Sequence, residues 1–489
     1  MSYSLKLSDR KILLLIVDLL LILITTLFAL WIHANGRKSL TFNFPYLVDN
    51  IGWLILLAGL WLFSAYIHGL YDPLKIAVPE ETVLLLIRSG TIVMIVYLFI
   101  FFYTAPTIIL PRGIVVYQII SGFILISIWR FIYIFVFGQP RFTRKIVIIG
   151  AGRAGKTIAQ AIHENASNQY QILGFIDDDP TITGTEIELD LENSLIQKKP
   201  IHQEGENQLQ KLPVLGTAHD LYNVVKKNAV PEIVLAITYD IRSELFRSLM
   251  DCKELGVDIT LMSEMYEEIT GRIPIEHIGD NWFVSLPMDS AETSVFYIFA
   301  SRIFDLVGAF IGLALLLPFL PIVALAVYLD SPGPVFYKQT RVGKGGKEFV
   351  IHKLRTMITD AEKYSPPHRA EPGDPRITRL GRWLRKFRLD EMPQLYNILK
   401  GEMSSVGPRP ERPYHLTELD KMVPYHRLRN AVKPGMAGWA VVNYGYVDNV
   451  ESAKVRLQYD LYYVKHQSLM LDFIILFRTF GQLFQPKGR

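Results

Sequence analysis

The chain has 489 residues, half of them hydrophobic, and 51 Lys plus Arg against 47 Asp plus Glu. That length is too great for one core, and the apolar share points to a membrane protein carrying soluble parts, three parts in all. A net charge of +4 over such a length argues against nucleic acid as a partner, since the basic residues cluster beside apolar runs as they do in proteins lying on anionic lipid. The single cysteine, Cys252, excludes a disulfide framework and suits a reducing cytoplasm.

Four apolar runs open the chain, Ile12 to Ile32, Ile51 to Leu70, Val83 to Tyr103 and Ile114 to Phe137, each long enough to span a bilayer. The first lacks a small-residue cleavage site and is soon followed by a second span, so it reads as an anchor. Lys6, Arg10 and Lys11 precede these runs and Arg141, Arg144 and Lys145 follow them, whereas the outer loops hold only Arg37, Lys38 and Arg112. Both ends are therefore expected in the cytoplasm, and Lys75 with Arg88 places the middle loop there too. Asp18 and Arg88 read as a helix contact or a snorkelling group in preference to marks of a pathway.

After Pro140 the pattern becomes KIVIIGAGRAGKTIAQAI, a buried strand, a glycine turn and a helix, with Gly150, Gly152 and Gly155 in G-x-G-x-x-G order. This predicts a Rossmann-like α/β domain over 141–265. A second strand, YQILGFIDDD, ends in Asp177, Asp178 and Asp179, and PVLGTAHDL and PEIVLAIT supply further turns and strands. Whether the glycine turn holds a nucleotide or nothing stays open. Thr181 to Leu212 reads as a long loop or a small hairpin. The short pieces DITLM and WFVSL, with turns at Gly271 and Pro287, read as strand-like parts of a connector over 266–295.

A fifth apolar stretch, Ile303 to Leu329, has Arg302 before it and Lys338, Arg341, Lys344 and Lys347 after it, so both of its ends read as cytoplasmic. Pro318 and Pro321 near its middle suit a segment that enters one leaflet and leaves by the same face, a proline-kinked span being the alternative. Near the C-terminus LDFIILFRTFGQLF reads as a helix in the membrane interface.

The chemistry is expected in RLDEMPQLYNILKGEMSSVGPRP, residues 388–410. Leu395, Ile398 and Leu399 fit one helical face and Pro393 a first turn, which places Asp390 at or near the N-cap. Backbone N–H groups there would keep Asp390 ionised and attract a phosphate. Arg379, Arg382, Arg385, Lys386 and Arg388 lie ahead, and Arg409 lies behind between two prolines. One carboxylate could attack phosphorus while its neighbour in the pair Asp390 and Glu391 binds a divalent cation.

Five further stretches, VFYKQTRVG, HKLRTM, SSVGPRP, KPGMAGWAVV and YDLYYVKH, follow in order with this one. From about Ser301 onward the chain resembles the bacterial sugar transferase family, polyprenyl-phosphate glycosylphosphotransferases with a monotopic catalytic domain, here 296–489. The resemblance implies a re-entrant helix over 302–329 broken at Pro318, although Leu317 stands where a polar residue is usual. It implies a phosphoglycosyl transferase that moves a sugar 1-phosphate from a UDP-hexose to undecaprenyl phosphate and releases UMP. Asp390 would be the nucleophile, Glu391 the Mg2+ ligand and Arg409 a phosphate clamp, with Arg341, Lys353, Arg355 and Asp460 as substrate-binding groups. Ala437 and Val441 replace a usual threonine and glutamine, so a donor contact or the local packing differs. The glycine-turn unit resembles the nucleotide-binding-like module often joined to such transferases and adds no catalytic residue. The implied setting is a multi-pass protein of the bacterial inner membrane with its catalytic face in the cytoplasm, in contact with membrane lipid and open to homodimer formation. Two rivals remain: a membrane-tethered nucleotide-sugar oxidoreductase, for which no Tyr-x-x-x-Lys is placed as a short-chain dehydrogenase would need, and a silent scaffold of a polysaccharide assembly complex.

Overall fold

The computed structural model describes residues 7–35, 42–73, 76, 79–104, 112–137, 143–189, 211–237, 241–277, 294–359, 361, 373–444 and 450–483. The described chain forms two compact units that meet in sequence between Thr270 and Gly271.

The first unit begins with α1 (Leu7–Asn35), a short α2 (Phe44–Asp49) capped by the Asn43 side chain, α3 (Ile51–His68), α4 (Pro79–Thr104) and α5 (Arg112–Phe137). Each predicted apolar run is thus a helix. Among the described residues α1, α4 and α5 are long and apolar enough to cross a membrane, while the apolar part of α3, Ile55–His68, is shorter. Asp18 on α1 is a helix contact, as expected: Arg130 of α5 donates to its Oδ2 at 2.6 Å, and both side chains are buried. Arg88 is exposed on α4. Arg37, Lys38, Lys75 and Arg141 lie outside the described residues.

The α/β part follows as β1 (Arg144–Ile149), α6 (Arg153–Ala166), β2 (Tyr170–Ile176), β3 (Glu186–Glu188), β4 (Lys211–Gly216), α7 (Leu221–Asn228), β5 (Glu232–Leu235), α8 (Ser243–Glu254), β6 (Asp258–Leu261) and α9 (Met262–Thr270). The strands form one sheet in the order β3-β4-β2-β1-β5-β6, parallel except at the β3 edge. β1 and β5 are almost wholly buried because helices cover both faces, α6 and α9 on one side and α7 and α8 on the other. This is the doubly wound arrangement that the glycine turn predicted. Thr181 to Leu212 closes as an antiparallel hairpin through Glu186↔Pro213 and Glu188↔Lys211, with 190–210 outside the described residues.

The second unit starts earlier than the expected catalytic boundary. Ile273 and Ile275 share a core with Val423, Leu457 and Leu461, and the Trp439 indole donates to Gly271 O at 2.9 Å. The WFVSL strand and Pro287 fall outside the described residues. α10 (Val295–Leu316) and α11 (Leu320–Asp330) flank a turn at 317–319 that contains Pro318, and Pro321 sits in the first turn of α11, where proline is tolerated. α10 alone has the length and composition of a membrane span.

Both feet of this broken helix stand on one body. At the start of α10, Arg302 donates to the Ile398 and Leu399 carbonyls at 2.7 and 2.8 Å, and Asp305 accepts from Ser405 N at 2.7 Å. At the end of α11, Asp330 accepts from Leu380 N at 2.9 Å and Val327 packs on Leu354 and Leu384. Between the feet, Phe310, Leu315, Leu317, Phe319, Ile322 and Leu325 are exposed.

The body itself comprises the hairpin β7 (Phe336–Val342) and β8 (Glu348–Leu354), α12 (Arg379–Lys386), a 3-10 turn Leu389–Gln394, α13 (Leu395–Lys400), β9 (Ser404–Val406), α14 (Pro413–Met422), a 3-10 turn His426–Ala431, β10 (Gly435–Ala437), α15 (Trp439–Asn443), α16 (Val450–Lys465) and α17 (Leu469–Leu483). Asn397, fully buried, joins α13 to β8 by donating to Val350 O at 2.7 Å and accepting from His352 N at 3.3 Å.

Candidate active site

The carboxylate pair is set by a change of helix type. Thr378 caps α12 through Gly381 N at 3.0 Å, and the helix ends before Arg388, whose φ of 54° is left-handed. A non-glycine residue held there is strained and needs surrounding contacts to keep it. The chain then enters the 3-10 turn with Arg388 as its cap, Asp390 and Glu391 in its first turn, and Pro393 within it. Asp390 thus lies near the N-terminal cap of this 3-10 turn, as expected, while the α-helix proper, α13, begins only at Leu395.

The two neighbours have opposite electrostatics. Lys353 of β8 donates to Glu391 Oε1 at 2.9 Å, and Arg409 donates to the same oxygen at 2.6 Å. Burial works against the charge of Glu391, but Arg409 and Lys353 overcome it and hold this carboxyl well below the usual range. Asp390 is shifted the other way: burial and then the adjacent Glu391 charge raise it, against the pull of Lys353, Arg385 and Arg409. Desolvation and the neighbouring Glu391 charge thus dominate the Asp390 carboxyl.

Of the basic run, Arg385 and Arg388 bear electrostatically on the pair, and Arg385 is oriented by the Thr356 hydroxyl at 2.8 Å. Arg379, Arg382 and Lys386 point to solvent on α12. Arg341 lies beside Arg409 but spends its guanidinium on Pro410 O and Gln339 Oε1, at 2.9 and 2.6 Å. Burial, then Arg409, brings its pKa down to about 10. Arg355 is buried against the Ser331 and Pro332 carbonyls and fastens the exit of α11. Asp460 is buried behind the site, paired to Arg429 at 2.7 Å.

The SSVGPRP and KPGMAGW stretches meet through backbone. Gly407 N donates to Ala437 O at 2.9 Å and Gly435 N to Pro408 O at 3.0 Å. A Cβ on Gly407 would stand 2.4 Å from Lys433 O, and one on Gly435 would stand 2.1 Å from Gly407 N, so only glycine permits this approach. Ala437 is packed with Val406, Tyr463 and Ile475.

Sequence reasoning missed Arg302, Asp305, Asn397, Glu411 and Arg429, which hold these pieces together. Arg456 and Asp460, four apart on α16 and both buried, were the readable sign of an internal charge network. In the first unit, Gly150 has a φ of 99°, and a Cβ on Gly155 would stand 1.9 Å from Gly150 O; Gly152 caps α6. Asp177 Oδ2 accepts from Ala151 N at 2.7 Å. Close packing thus accounts for two of the three glycines.

Fold and site define a protein with membrane-length apolar helices, a doubly wound α/β part and a unit built around a clamped carboxylate pair. A profile described as bacterial sugar transferase matches residues 296–486, and one described as CoA-binding domain matches 66–263. The chain is 38% identical over 240 residues to a UDP-N-acetylgalactosamine-undecaprenyl-phosphate N-acetylgalactosaminephosphotransferase of Aeromonas hydrophila, covering 49% of this chain and 55% of that one. It is 34% identical over 274 residues to a UDP-glucose:undecaprenyl-phosphate glucose-1-phosphate transferase of Xanthomonas campestris pv. campestris, covering 56% and 57%. It is 41% identical over 197 residues to the exopolysaccharide production protein PSS of Rhizobium leguminosarum bv. phaseoli, covering 38% of this chain and 96% of that one. The matches span little more than half the length of the first two relatives. The chain belongs to the bacterial sugar transferase family.

Proposed function

We propose that this protein is a phosphoglycosyl transferase that moves a hexose 1-phosphate from a UDP-sugar to undecaprenyl phosphate. The observation that carries this reading is the pair Asp390 and Glu391, buried side by side with Arg409 and Lys353 both on Glu391. A carboxylate oxygen of Asp390 attacks the sugar-linked phosphorus, the bond from that phosphorus to the bridging pyrophosphate oxygen breaks, and UMP leaves. An oxygen of undecaprenyl phosphate then attacks the same phosphorus and releases Asp390. Arg409, kept charged by Glu391, stabilises the negative charge on the transferring phosphate.

Mg2+ suits this donor set. Among the described residues no cluster of three or more metal-binding side chains exists, and Mg2+ characteristically takes one or two carboxylates and completes its shell with substrate phosphates and water. Glu391 would hold it, although one of its oxygens is already engaged by two cations. When bound it would neutralise pyrophosphate charge.

Transfer of label from UDP-glucose and UDP-N-acetylgalactosamine to undecaprenyl phosphate tests the reaction. Without lipid, about one UMP per site and a phosphosugar adduct on Asp390 are expected, both lost in Asp390→Asn. A ternary-complex kinetic pattern with no adduct would instead make Asp390 a base for direct attack by the lipid.

The α10–α11 segment is read as re-entrant, since its exposed apolar tip lies between two feet fixed to one body. The second unit then works at the cytoplasmic face of the inner membrane, where both a nucleotide sugar and a lipid phosphate are within reach. Maleimide labelling of a cysteine placed at Lys347 should occur only after the membrane is opened; labelling from the periplasm would overturn this.

A further inference from the structure

Residues 407–412, which carry Arg409, form neither helix nor strand, so the loop keeps its shape through donors brought from other elements. Gly435 N holds Pro408 O, Arg341 Nη1 holds Pro410 O, and Val342 N holds Glu411 O at 3.0 Å. Arg429, in the 3-10 turn before KPG, donates from Nη2 to the carbonyl of Arg409 itself at 2.9 Å. Only 3% of the Arg429 side chain is exposed. It is fixed in turn by Asp460 at 2.7 Å and Glu411 at 3.5 Å, and Glu411 also pairs with Arg456 at 3.1 Å. Two guanidinium groups thus face two carboxylates around a cavity of about 10 Å³, which His426 also lines and which is the size of a single water.

We propose that Arg429 is a positioning residue: by gripping the Arg409 carbonyl it sets where the Arg409 guanidinium meets Glu391 and the transferring phosphate. The inference rests on the reading of Arg409 as a phosphate clamp. Arg429 acts through Arg409, because its bonded partners are Asp460, Glu411 and the loop backbone, with neither Asp390 nor Glu391 among them. A planar fork can hold a carboxylate and a carbonyl at once, whereas lysine keeps the charge but offers a single point of attachment. Arg429→Lys therefore retains most of the ion pairing while releasing the loop.

The test uses the full chain in nanodiscs with UDP-glucose and UDP-N-acetylgalactosamine as donors. Arg429→Lys should lower kcat about tenfold or more, the scale of loss expected from a small misplacement of a catalytic group, while its melting temperature stays within a few degrees of wild type. Amide exchange in a peptide covering 405–412 should speed up in Arg429→Lys. The double variant with Arg409→Ala should be no slower than Arg409→Ala alone, since both act on one group. Unchanged exchange, or losses that multiply in the double variant, would overturn the proposal. Full activity in Arg409→Ala would instead overturn the clamp reading, and the exchange result would then decide the role of Arg429 by itself. If Arg429→Lys fails to fold, Asp460→Asn leaves Arg429 in place but loosens its anchor, and the same readings apply.

Discussion

Asp390 and Glu391 share a turn, burial and sequence position, yet only Glu391 receives two direct cations. The raised carboxyl of Asp390 means that its reactive, ionised form is reached at a higher pH than for a free aspartate. Adduct formation should consequently show an acid limb at higher pH than a free aspartate would give. Lys353→Met removes a charge that lowers Asp390, so the limb should move to higher pH in a pH–rate profile of the first half-reaction. The same sign governs stability: a group whose folded pKa is raised costs the fold once it is ionised. Asp390→Asn should thus melt at a higher temperature than wild type at neutral pH while turning over nothing. The carboxylate pair and Arg409 stood out in the sequence as charges gathered on one stretch, whereas Lys353 was named from the family resemblance alone. The shift of Asp390 was not, because it depends on burial and on which carboxylate the cations choose.

At the scale of elements, apolar length was the clearest signal, and all four early runs form helices. What length could not supply was pairing. Asp18 was visible as a buried acid, but Arg130 lies 112 residues away, and only helix packing brings the two together. A buried ion pair is costly to break from one side and cheap to replace from both. Asp18→Ala should lower the melting temperature in detergent, and Asp18→Leu combined with Arg130→Leu should restore much of the loss. A bend near Pro318 and Pro321 was legible because proline lacks a backbone donor, and the family resemblance pointed to Pro318. The anchors of the two feet were not, because Arg302 and Arg355 act on carbonyls of distant segments.

At the scale of the molecule, the doubly wound part was read from one glycine turn, whereas its border with the second unit was not. The reason is that α9 closes the sheet with Met265, Tyr266 and Ile269, and the next few residues already belong to another core through Ile273 and Ile275. A fragment beginning at Gly271 should therefore melt at a higher temperature than one beginning at Ser294, and differential scanning fluorimetry of the two in the same detergent would show it. Both should carry transfer activity, since every residue assigned to the chemistry lies after Ser294. If the longer fragment is folded but inactive with lipid and Mg2+ present, the first unit contributes a group to the reaction.

The two feet of α10 and α11, planted on one polar body, also bear on how the protein is made. If this segment dips into lipid and returns, as proposed above, no hydrophilic segment has to be translocated, and the second unit can be completed in water and only afterwards seated on a bilayer. Produced in a cell-free extract without membranes, the fragment from Gly271 should bind liposomes added after synthesis has stopped, and it should resist extraction by high salt. An absolute need for membranes during translation would mean that α10 is threaded across by the export machinery like an ordinary span.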